Sequence, residues 1–195
     1  MDHKNFQLVT EKLVVYFNFL DTKFGPLQVA WTSLGICNID VSKDSINFYK
    51  TLETEWPFSE KKYSPVENSV RQTILTFLSS SKNLNQNNNS EQIAASVMVK
   101  ATEFQLKVWR ALLEIPSGYL CSYSQIGAII NSPNSTRAVG NALAKNPLAL
   151  LIPCHRVIRS DGKLGNYKWG KELKIKLIAW EFAKELQKNI LHSSK

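Results

Sequence analysis

Hydrophobic residues follow two different spacings along the chain, and the change falls near residue 100. Before that point, short apolar runs separated by turn residues predict strands at 13–20, 27–31 and 36–41. Runs of this kind are typical of an antiparallel meander. Ser64-Pro65 predicts the start of a helix, as N-cap and first helical position, and this helix has an apolar stripe at 66, 70, 74, 77 and 78. The first half therefore reads as a small sheet with a helix on it.

After residue 100 the apolar spacing becomes helical. Thr102 predicts the N-cap of a helix that runs to Leu113, with residues 104, 108 and 112 on one face. A helix from Ser122 through Ile130, a polar turn at 131–134 and a helix capped by Ser135 up to about residue 145 predict a helix-turn-helix.

A polar segment separates the two halves. Residues 79–90 read SSSKNLNQNNNS, without periodicity, and predict a loop or linker. We expect one domain over residues 1–92 and a second over residues 93–195.

Gly140 lies in the middle of the second helix of the helix-turn-helix. A glycine there costs about 1 kcal/mol relative to alanine, so something is expected to pack very close to it. A neighbouring helix and a nucleic-acid backbone both satisfy that requirement. Arg137, on the same small-residue surface, favours the nucleic acid.

The charge divides the chain in the same way. The 195 residues are 44% hydrophobic and 21% charged, which argues against wholesale disorder. Residues 1–100 contain ten basic and ten acidic residues, so the whole net charge of +8 comes from residues 101–195. This imbalance indicates either a polyanionic partner such as nucleic acid or a solvated basic face.

Cysteine usage and hydropathy indicate the compartment. The three cysteines are widely spaced and odd in number, which does not predict a disulfide framework. The N-terminal MDHKNFQ has no hydrophobic signal core, and the apolar runs are too short to span a bilayer. We expect a soluble cytoplasmic protein with reduced thiols, and no membrane association.

Residues 148–157, LALLIPCHRV, place reactive side chains beside an apolar run. Residues 148–152 predict a short buried strand that a proline ends, and Cys154, His155 and Arg156 follow. A thiol attacks as thiolate, so it needs a base and a positive environment. Adjacent side chains generally point in different directions, so a water between Cys154 and His155 is easier to arrange than direct contact, with Glu181 as the candidate that orients the imidazole. From these residues alone, structural and catalytic roles both stay open.

The segment PCHRV at 153–157 resembles the active site of the O6-alkylguanine-DNA alkyltransferases, also called methylated-DNA–protein-cysteine methyltransferases. The resemblance covers residues 100–183 in order and spacing. It extends to Thr102-Glu103-Phe104-Gln105, Val108-Trp109, Ser122-Tyr123, Arg137-Ala138-Val139-Gly140, Asn146-Pro147, Gly165-Asn166-Tyr167 and residues 177–181. The first half resembles the family more loosely, through Gly25-Pro26-Leu27 and residues 34–37. The resemblance to this family implies an α/β (α+β) fold, with a ribonuclease-H-like N-terminal domain and a mainly helical C-terminal domain.

The resemblance also implies a reaction. Cys154 would take the alkyl group from guanine O6 in double-stranded DNA and keep it as a thioether, in a single irreversible turnover. His155 would take the thiol proton through a water, and Glu181 would hold the imidazole. Asn146 would brace the active-site turn, and Tyr123 would donate to the departing guanine. No cofactor is implied, and no metal is expected because Cys37 and His3 show no ligand spacing.

The target base must leave the duplex, since the stack hides it. The resemblance implies that Arg137 fills the vacated space from the minor groove. Further DNA contacts are expected at Thr136, Ser124, Ser132 and Ser160; two of these, Ser124 and Ser132, stand where many relatives have larger amides.

The walls of the base pocket are expected from Val157, Tyr167, Lys168 and Trp169, and the indole would exclude a benzyl group. We expect a monomer with no obligate protein partner.

Two other functions remain open. Alkyltransferase-like proteins bind lesions in DNA without reacting because they lack the acceptor cysteine, which is present here as Cys154. A cysteine hydrolase would need an oxyanion hole, and it would leave the helix-turn-helix unexplained.

Overall fold

The computed structural model describes residues 13–79 and 96–193. They form two compact units, one built on a four-stranded sheet and one mainly helical. The sheet unit also includes residues 96–100 and 147–149. Most of the predicted linker, the boundary expected at residue 92 and His3 lie outside the described residues. Over these two ranges, no helix is both long and apolar enough to cross a membrane.

The sheet consists of β1 (Val14–Thr22), β2 (Gly25–Thr32), β3 (Gly35–Asp40) and β4 (Glu60–Tyr63), in the order β3-β2-β1-β4. Strands β1 to β3 pair antiparallel, which confirms the predicted meander. Strand β4 pairs parallel with β1, so the sheet is mixed. The sequence of β4, EKKY, has no apolar alternation and so no local strand signal.

Helix α1 (Ser45–Glu55) follows β3 and is absent from the sequence prediction. The features that indicate this helix are local: an N-cap and a pair of buried apolar residues. The side chain of Asp44 accepts a hydrogen bond from the backbone N–H of Asn47, and Phe48 and Leu52, four positions apart, are buried. The helix contributes to a core cluster formed by Val15, Ala30, Cys37, Phe48, Leu52 and Trp56. Cys37 is buried there as a small hydrophobic residue.

Helix α2 (Asn68–Ser79) begins later than the sequence predicts. Ser64 cannot open a helix because its backbone is bound to β1: its N–H donates to Phe17, and its carbonyl accepts from the Asn18 side chain. The apolar stripe at 66, 70, 74, 77 and 78 is buried as predicted. The prediction of a helix in this region is therefore correct, and the predicted N-cap at Ser64 is wrong.

The second unit contains α3 (Glu103–Leu113), α4 (Tyr123–Ile129), α5 (Thr136–Ala144) and α6 (Lys171–Ser193), with two-residue strands β5 (Cys121–Ser122) and β6 (Val157–Ile158). The caps predicted at Thr102 and Ser122 are confirmed, and each forms a reciprocal capping box with the glutamine three residues later. Ser135 precedes α5, but its side chain makes no capping hydrogen bond.

In the helix-turn-helix of α4 and α5, Gly127 is closely packed by the turn, whereas Gly140 has free space beside it. A Cβ on Gly127 would lie 3.0 Å from the carbonyl oxygen of Ser132 and 3.1 Å from the hydroxyl of Ser135. A Cβ on Gly140 would meet the ring of Tyr123 at an ordinary contact distance of 3.8 Å, and no other described atom within 4 Å. Close packing against a neighbouring helix is therefore not the reason for Gly140.

Gly35 offers a test of the sheet unit. Its φ is +136°, and a Cβ there would lie 2.3 Å from the carbonyl oxygen of Ser96, which accepts a hydrogen bond from Ile36. Gly25 also has a positive φ, +103°, but nothing lies within 4 Å of an added Cβ. We expect Gly35→Ala to lower the free energy of unfolding of this unit by about 1–3 kcal/mol more than Gly25→Ala does, because only the first adds a backbone clash to the strain. Urea unfolding followed by tryptophan fluorescence measures both variants, and equal losses would contradict the expectation.

Candidate active site

Cys154 follows an irregular loop rather than a strand. Leu150 has a φ of 70°, in the left-handed region, so the chain turns at 149–152 and cannot extend. The strand predicted at 148–152 is therefore wrong, although these residues are buried as the apolar run indicates. Cys154 begins a single 3-10 turn, Cys154–Arg156, which leads into β6.

The thiol of Cys154 is buried and held by Asn146. The side-chain amide of Asn146 lies 3.1 Å from Sγ and donates to the carbonyl oxygen of Ile152 at 3.0 Å, so one residue fixes both the turn and the sulfur. Burial raises the pKa of the Cys154 thiol to about 11, although the Asn146 hydrogen bond and the charges of Lys174 and Lys168 act in the opposite direction. The resting thiol is therefore protonated at neutral pH and needs a base in order to react.

His155 is oriented by Glu181. Its Nε2 lies 2.9 Å from Glu181 Oε1, while its buried Nδ1 has no hydrogen-bond partner in the described part of the chain. Burial lowers the pKa of His155, and the carboxylate of Glu181 partly offsets that effect. The neutral imidazole thus presents an unpaired nitrogen that can accept a proton.

Arg156 has a different role from the one that its position beside Cys154 suggests. The sequence reading makes it part of a positive environment for the thiol, but its guanidinium binds Glu181, with Nε 3.0 Å from Oε2 and Nη2 2.8 Å from Oε1. Burial raises the pKa of Glu181, but the hydrogen bonds and charges of His155 and Arg156 outweigh burial and lower it to about 2. The carboxylate is therefore ionised throughout the physiological range.

Lys174 is a site residue that the sequence reading misses. It is fully buried on α6, and its Nζ donates to the carbonyl oxygens of Val157, at 2.6 Å, and Leu164. It thereby joins the two ends of the loop between β6 and Gly165. Burial lowers its pKa to about 8, and the Cys154 sulfur partly offsets that effect. The available signal is its spacing of three and seven residues from Leu177 and Glu181, which are also buried.

An open cavity of about 860 Å³ adjoins Cys154. Besides Cys154, seven of the residues expected at the site line it: Tyr123, Ser124, Thr136, Arg137, Ser160, Tyr167 and Lys168. Ser132, Val157 and Trp169 are not among the lining residues. Val157 is buried, and Trp169 packs edge-on against Tyr167 with 5.4 Å between the ring centres. The cavity lining gives the expected steric exclusion of a benzyl group by the indole no support, and that exclusion stays a prediction.

Two phenols border the sulfur. The hydroxyl of Tyr123 lies 3.5 Å from the carbonyl oxygen of Asn166, and a Cβ on Gly165, whose φ is +68°, would lie only 3.0 Å from that hydroxyl. Burial, and then the negative charge that Cys154 carries as a thiolate, raise the pKa of Tyr123, and the same two causes raise the pKa of Tyr167 well above its usual value. Both phenols therefore remain protonated at neutral pH and can donate.

The charged residues that line the cavity are all cations. They are Arg137, Arg159 and Lys168, and no Asp or Glu lines the cavity in the described chain. Arg159 has a partner, Asp161, at 3.4 Å. A cavity with this lining attracts anions toward a buried nucleophile beside a helix-turn-helix.

These features define a protein with a buried cysteine beside a positively charged cavity and a helix-turn-helix. Sequence comparison identifies the family. The family model of the 6-O-methylguanine DNA methyltransferase DNA binding domain matches residues 103–183. The methylated-DNA–protein-cysteine methyltransferase of Methanosarcina barkeri (strain Fusaro) is 32% identical over 177 residues, which are 91% of this chain and 99% of that protein. The chain belongs to the methylated-DNA–protein-cysteine methyltransferase family.

Two further similarities extend over most of the chain. The bifunctional transcriptional activator/DNA repair enzyme Ada of Escherichia coli (strain K12) is 34% identical over 185 residues, 95% of this chain, but the chain spans only about half of Ada, 50% of its length. The crystal structure of Mycobacterium tuberculosis OGT in complex with DNA has a TM-score of 0.66 and 29% identity, covering 87% of this chain and 93% of that one. These similarities confirm the α/β fold.

The buried carboxylate predicts a specific pH dependence. The pKa of Glu181 falls from an ordinary 4.5 to about 2 on folding, so its contribution to stability is present above pH 4.5 and is lost as the pH falls toward 2. This shift corresponds to about 3 kcal/mol. We expect the free energy of unfolding of the native protein to fall steeply over that window, and that of Glu181→Gln to start lower and change much less. Chemical denaturation between pH 2 and 7 measures the slopes.

Glu172→Gln is the matched control. Glu172 is an exposed carboxylate in the first turn of the same helix, so its loss should leave the steep acid dependence in place. Parallel curves for the native protein and Glu181→Gln would contradict the role given to Glu181.

Proposed function

We propose that this protein repairs DNA by direct reversal, moving the alkyl group from O6 of guanine to Cys154 without a cofactor. The observation that carries the proposal is the buried thiol next to a cavity, held by Asn146 beside a histidine whose other nitrogen is bound by Glu181. Membership of a family whose relatives are named methylated-DNA–protein-cysteine methyltransferases supports it.

The proposed step is a displacement at carbon. His155 Nδ1 takes the thiol proton through a water, and Glu181 stabilises the imidazolium that forms. The sulfur forms a bond to the alkyl carbon, the bond from that carbon to guanine O6 breaks, and its electron pair stays on the base. Tyr123 donates a hydrogen bond or a proton to the leaving guanine. Because no second acceptor receives the group, each molecule reacts once.

The DNA is proposed to lie along α5, with the helix in the minor groove. The similarity to Mycobacterium tuberculosis OGT, whose crystal structure is of a complex with DNA, supports DNA binding. Arg137 is exposed on α5 at the cavity wall. Its side chain is proposed to fill the space of a base that has rotated into the cavity. Thr136, Ser124 and Ser160 line the same cavity, and the open side of Gly140 allows close approach of a backbone.

The surroundings of the protein are part of the proposal. Cys37, Cys121 and Cys154 are free, and the reaction consumes a reduced thiol, so a reducing compartment such as the cytoplasm suits it. We propose a monomer, because the proposed reacting groups all come from one chain.

Stoichiometry tests the reaction. We expect one mole of protein to remove at most one mole of methyl from O6-methylguanine in duplex DNA, with one methyl added to a peptide that contains Cys154. Intact-protein and peptide mass spectrometry measure both. Cys154→Ser should transfer nothing and still bind DNA. Sustained turnover would refute the mechanism, and binding without any transfer by the native protein would favour a lesion-binding function.

The role of Arg137 is tested by comparing substrates. If its side chain replaces the flipped base, Arg137→Ala should slow transfer from a duplex about ten- to a hundred-fold, since unstacking costs a few kcal/mol, and slow transfer from a single strand much less. Single-turnover rates give the comparison. The control is Arg110→Ala, which removes the same charge from an exposed position on α3 outside the cavity. Equal losses on both substrates would make Arg137 an ordinary phosphate contact.

A further inference from the structure

Lys168 brings a fixed positive charge to the wall of the cavity that contains Cys154. Its Nζ donates to the backbone carbonyl oxygen of Asn146 at 3.2 Å and lies 4.9 Å from the centre of the Trp169 ring. The side chain of the same Asn146 contacts Cys154 Sγ at 3.1 Å. One residue therefore contacts both the ammonium and the reacting sulfur.

The ammonium still has capacity to bind an anion. It has three N–H donors, and the Asn146 carbonyl accepts from one of them. In the part of the chain that the structure describes, no carboxylate lies within ion-pair distance of Lys168, whereas Arg159 on the same wall is paired with Asp161. A neutral methyl group makes no use of such a charge.

We propose that Lys168 makes this protein selective for O6-alkyl groups that carry a carboxylate, of which carboxymethyl is the smallest. The inference rests on the proposed alkyl transfer and adds a substrate class to it. The carboxylate of the alkyl group would accept a charge-assisted hydrogen bond from Nζ while its CH₂ carbon faces Cys154 Sγ. Hydrogen bonds of this kind are roughly twice as strong as neutral ones.

The chemistry of this substrate explains why a cation matters. The sulfur forms a bond to the CH₂ carbon, the bond from CH₂ to O6 breaks, and guanine leaves with the electron pair and takes a proton from the Tyr123 hydroxyl. Cys154 becomes S-carboxymethylcysteine, and His155 receives the thiol proton through the intervening water. A carboxylate next to the attacked carbon repels the incoming thiolate, and an ammonium fixed beside both charges reduces that repulsion in the transition state.

The test compares two lesions of nearly equal size in the same duplex. One is O6-carboxymethylguanine, and the other is O6-carbamoylmethylguanine, its neutral amide. For each variant, the measured quantity is the ratio of the two single-turnover rates of transfer to Cys154. We expect Lys168→Met to lower this ratio about ten- to a hundred-fold, as for the loss of a hydrogen bond to a charged group, and Lys168→Arg to keep it within about threefold. General effects on folding or DNA affinity change both rates together and cancel in the ratio.

Two control variants locate the effect. Arg159→Met removes the other nearby cation of the cavity wall, and Lys145→Met removes an exposed cation that ends α5 outside the cavity. Neither should change the ratio by more than about threefold, because the proposed hydrogen bond to the carboxylate comes from Lys168 Nζ and solvent screens the other two charges. An unchanged ratio in Lys168→Met, or an equal fall in Arg159→Met, would overturn the inference. Methyl transfer from O6-methylguanine is measured in parallel: if no lesion transfers its group to Cys154, the proposed function itself fails.

Discussion

The active site depends on the burial of one ionised carboxylate, that of Glu181. A buried charge costs several kcal/mol unless partners satisfy it. Glu181 is bound by His155 and by the forked guanidinium of Arg156, and the backbone N–H of Gly118 lies 3.4 Å from its Oε2. These bonds connect α6 to the turn Cys154–Arg156. Because this charge must be satisfied, it fixes both the position of the His155 imidazole and the direction of the turn that carries it.

Burial of Cys154 keeps its thiol protonated, and so unreactive, at rest. Cys154 is almost fully inaccessible, and burial raises the pKa of its thiol to about 11, so adventitious electrophiles meet a neutral thiol. Asn146, Lys174 and Lys168 counter part of this effect, and the Nδ1 of His155, which has no partner among the described residues, is the nitrogen proposed as the base. The balance of these effects leaves the resting thiol protonated.

Glycines allow the helix-turn-helix and the loop before Tyr167 to pack closely around the cavity beside Cys154. Gly127 allows the turn between α4 and α5 to close against Ser132 and Ser135, and Gly165 allows the loop before Tyr167 to approach the hydroxyl of Tyr123. Arg137 on α5 and Tyr123 at the start of α4 thus line one cavity with Cys154. The lining carries positive charge only, which suits a phosphate backbone and, at Lys168, an anionic alkyl group.

The sequence by itself determined what depends on neighbouring residues: three antiparallel strands, the caps at Thr102 and Ser122, and the buried stripes of the helices. Likeness to a family pattern also selected Cys154, His155, Glu181, Asn146 and Tyr123, and the structure brings them together. Tertiary structure alone decided the parallel pairing of β4, the left-handed Leu150 that replaces a predicted strand, the guanidinium of Arg156 on Glu181, the burial of Lys174 and the position of Trp169 outside the cavity wall. Each of these depends on partners far away in sequence, since burying a charge or pairing an edge strand is favourable only once the partner is in place.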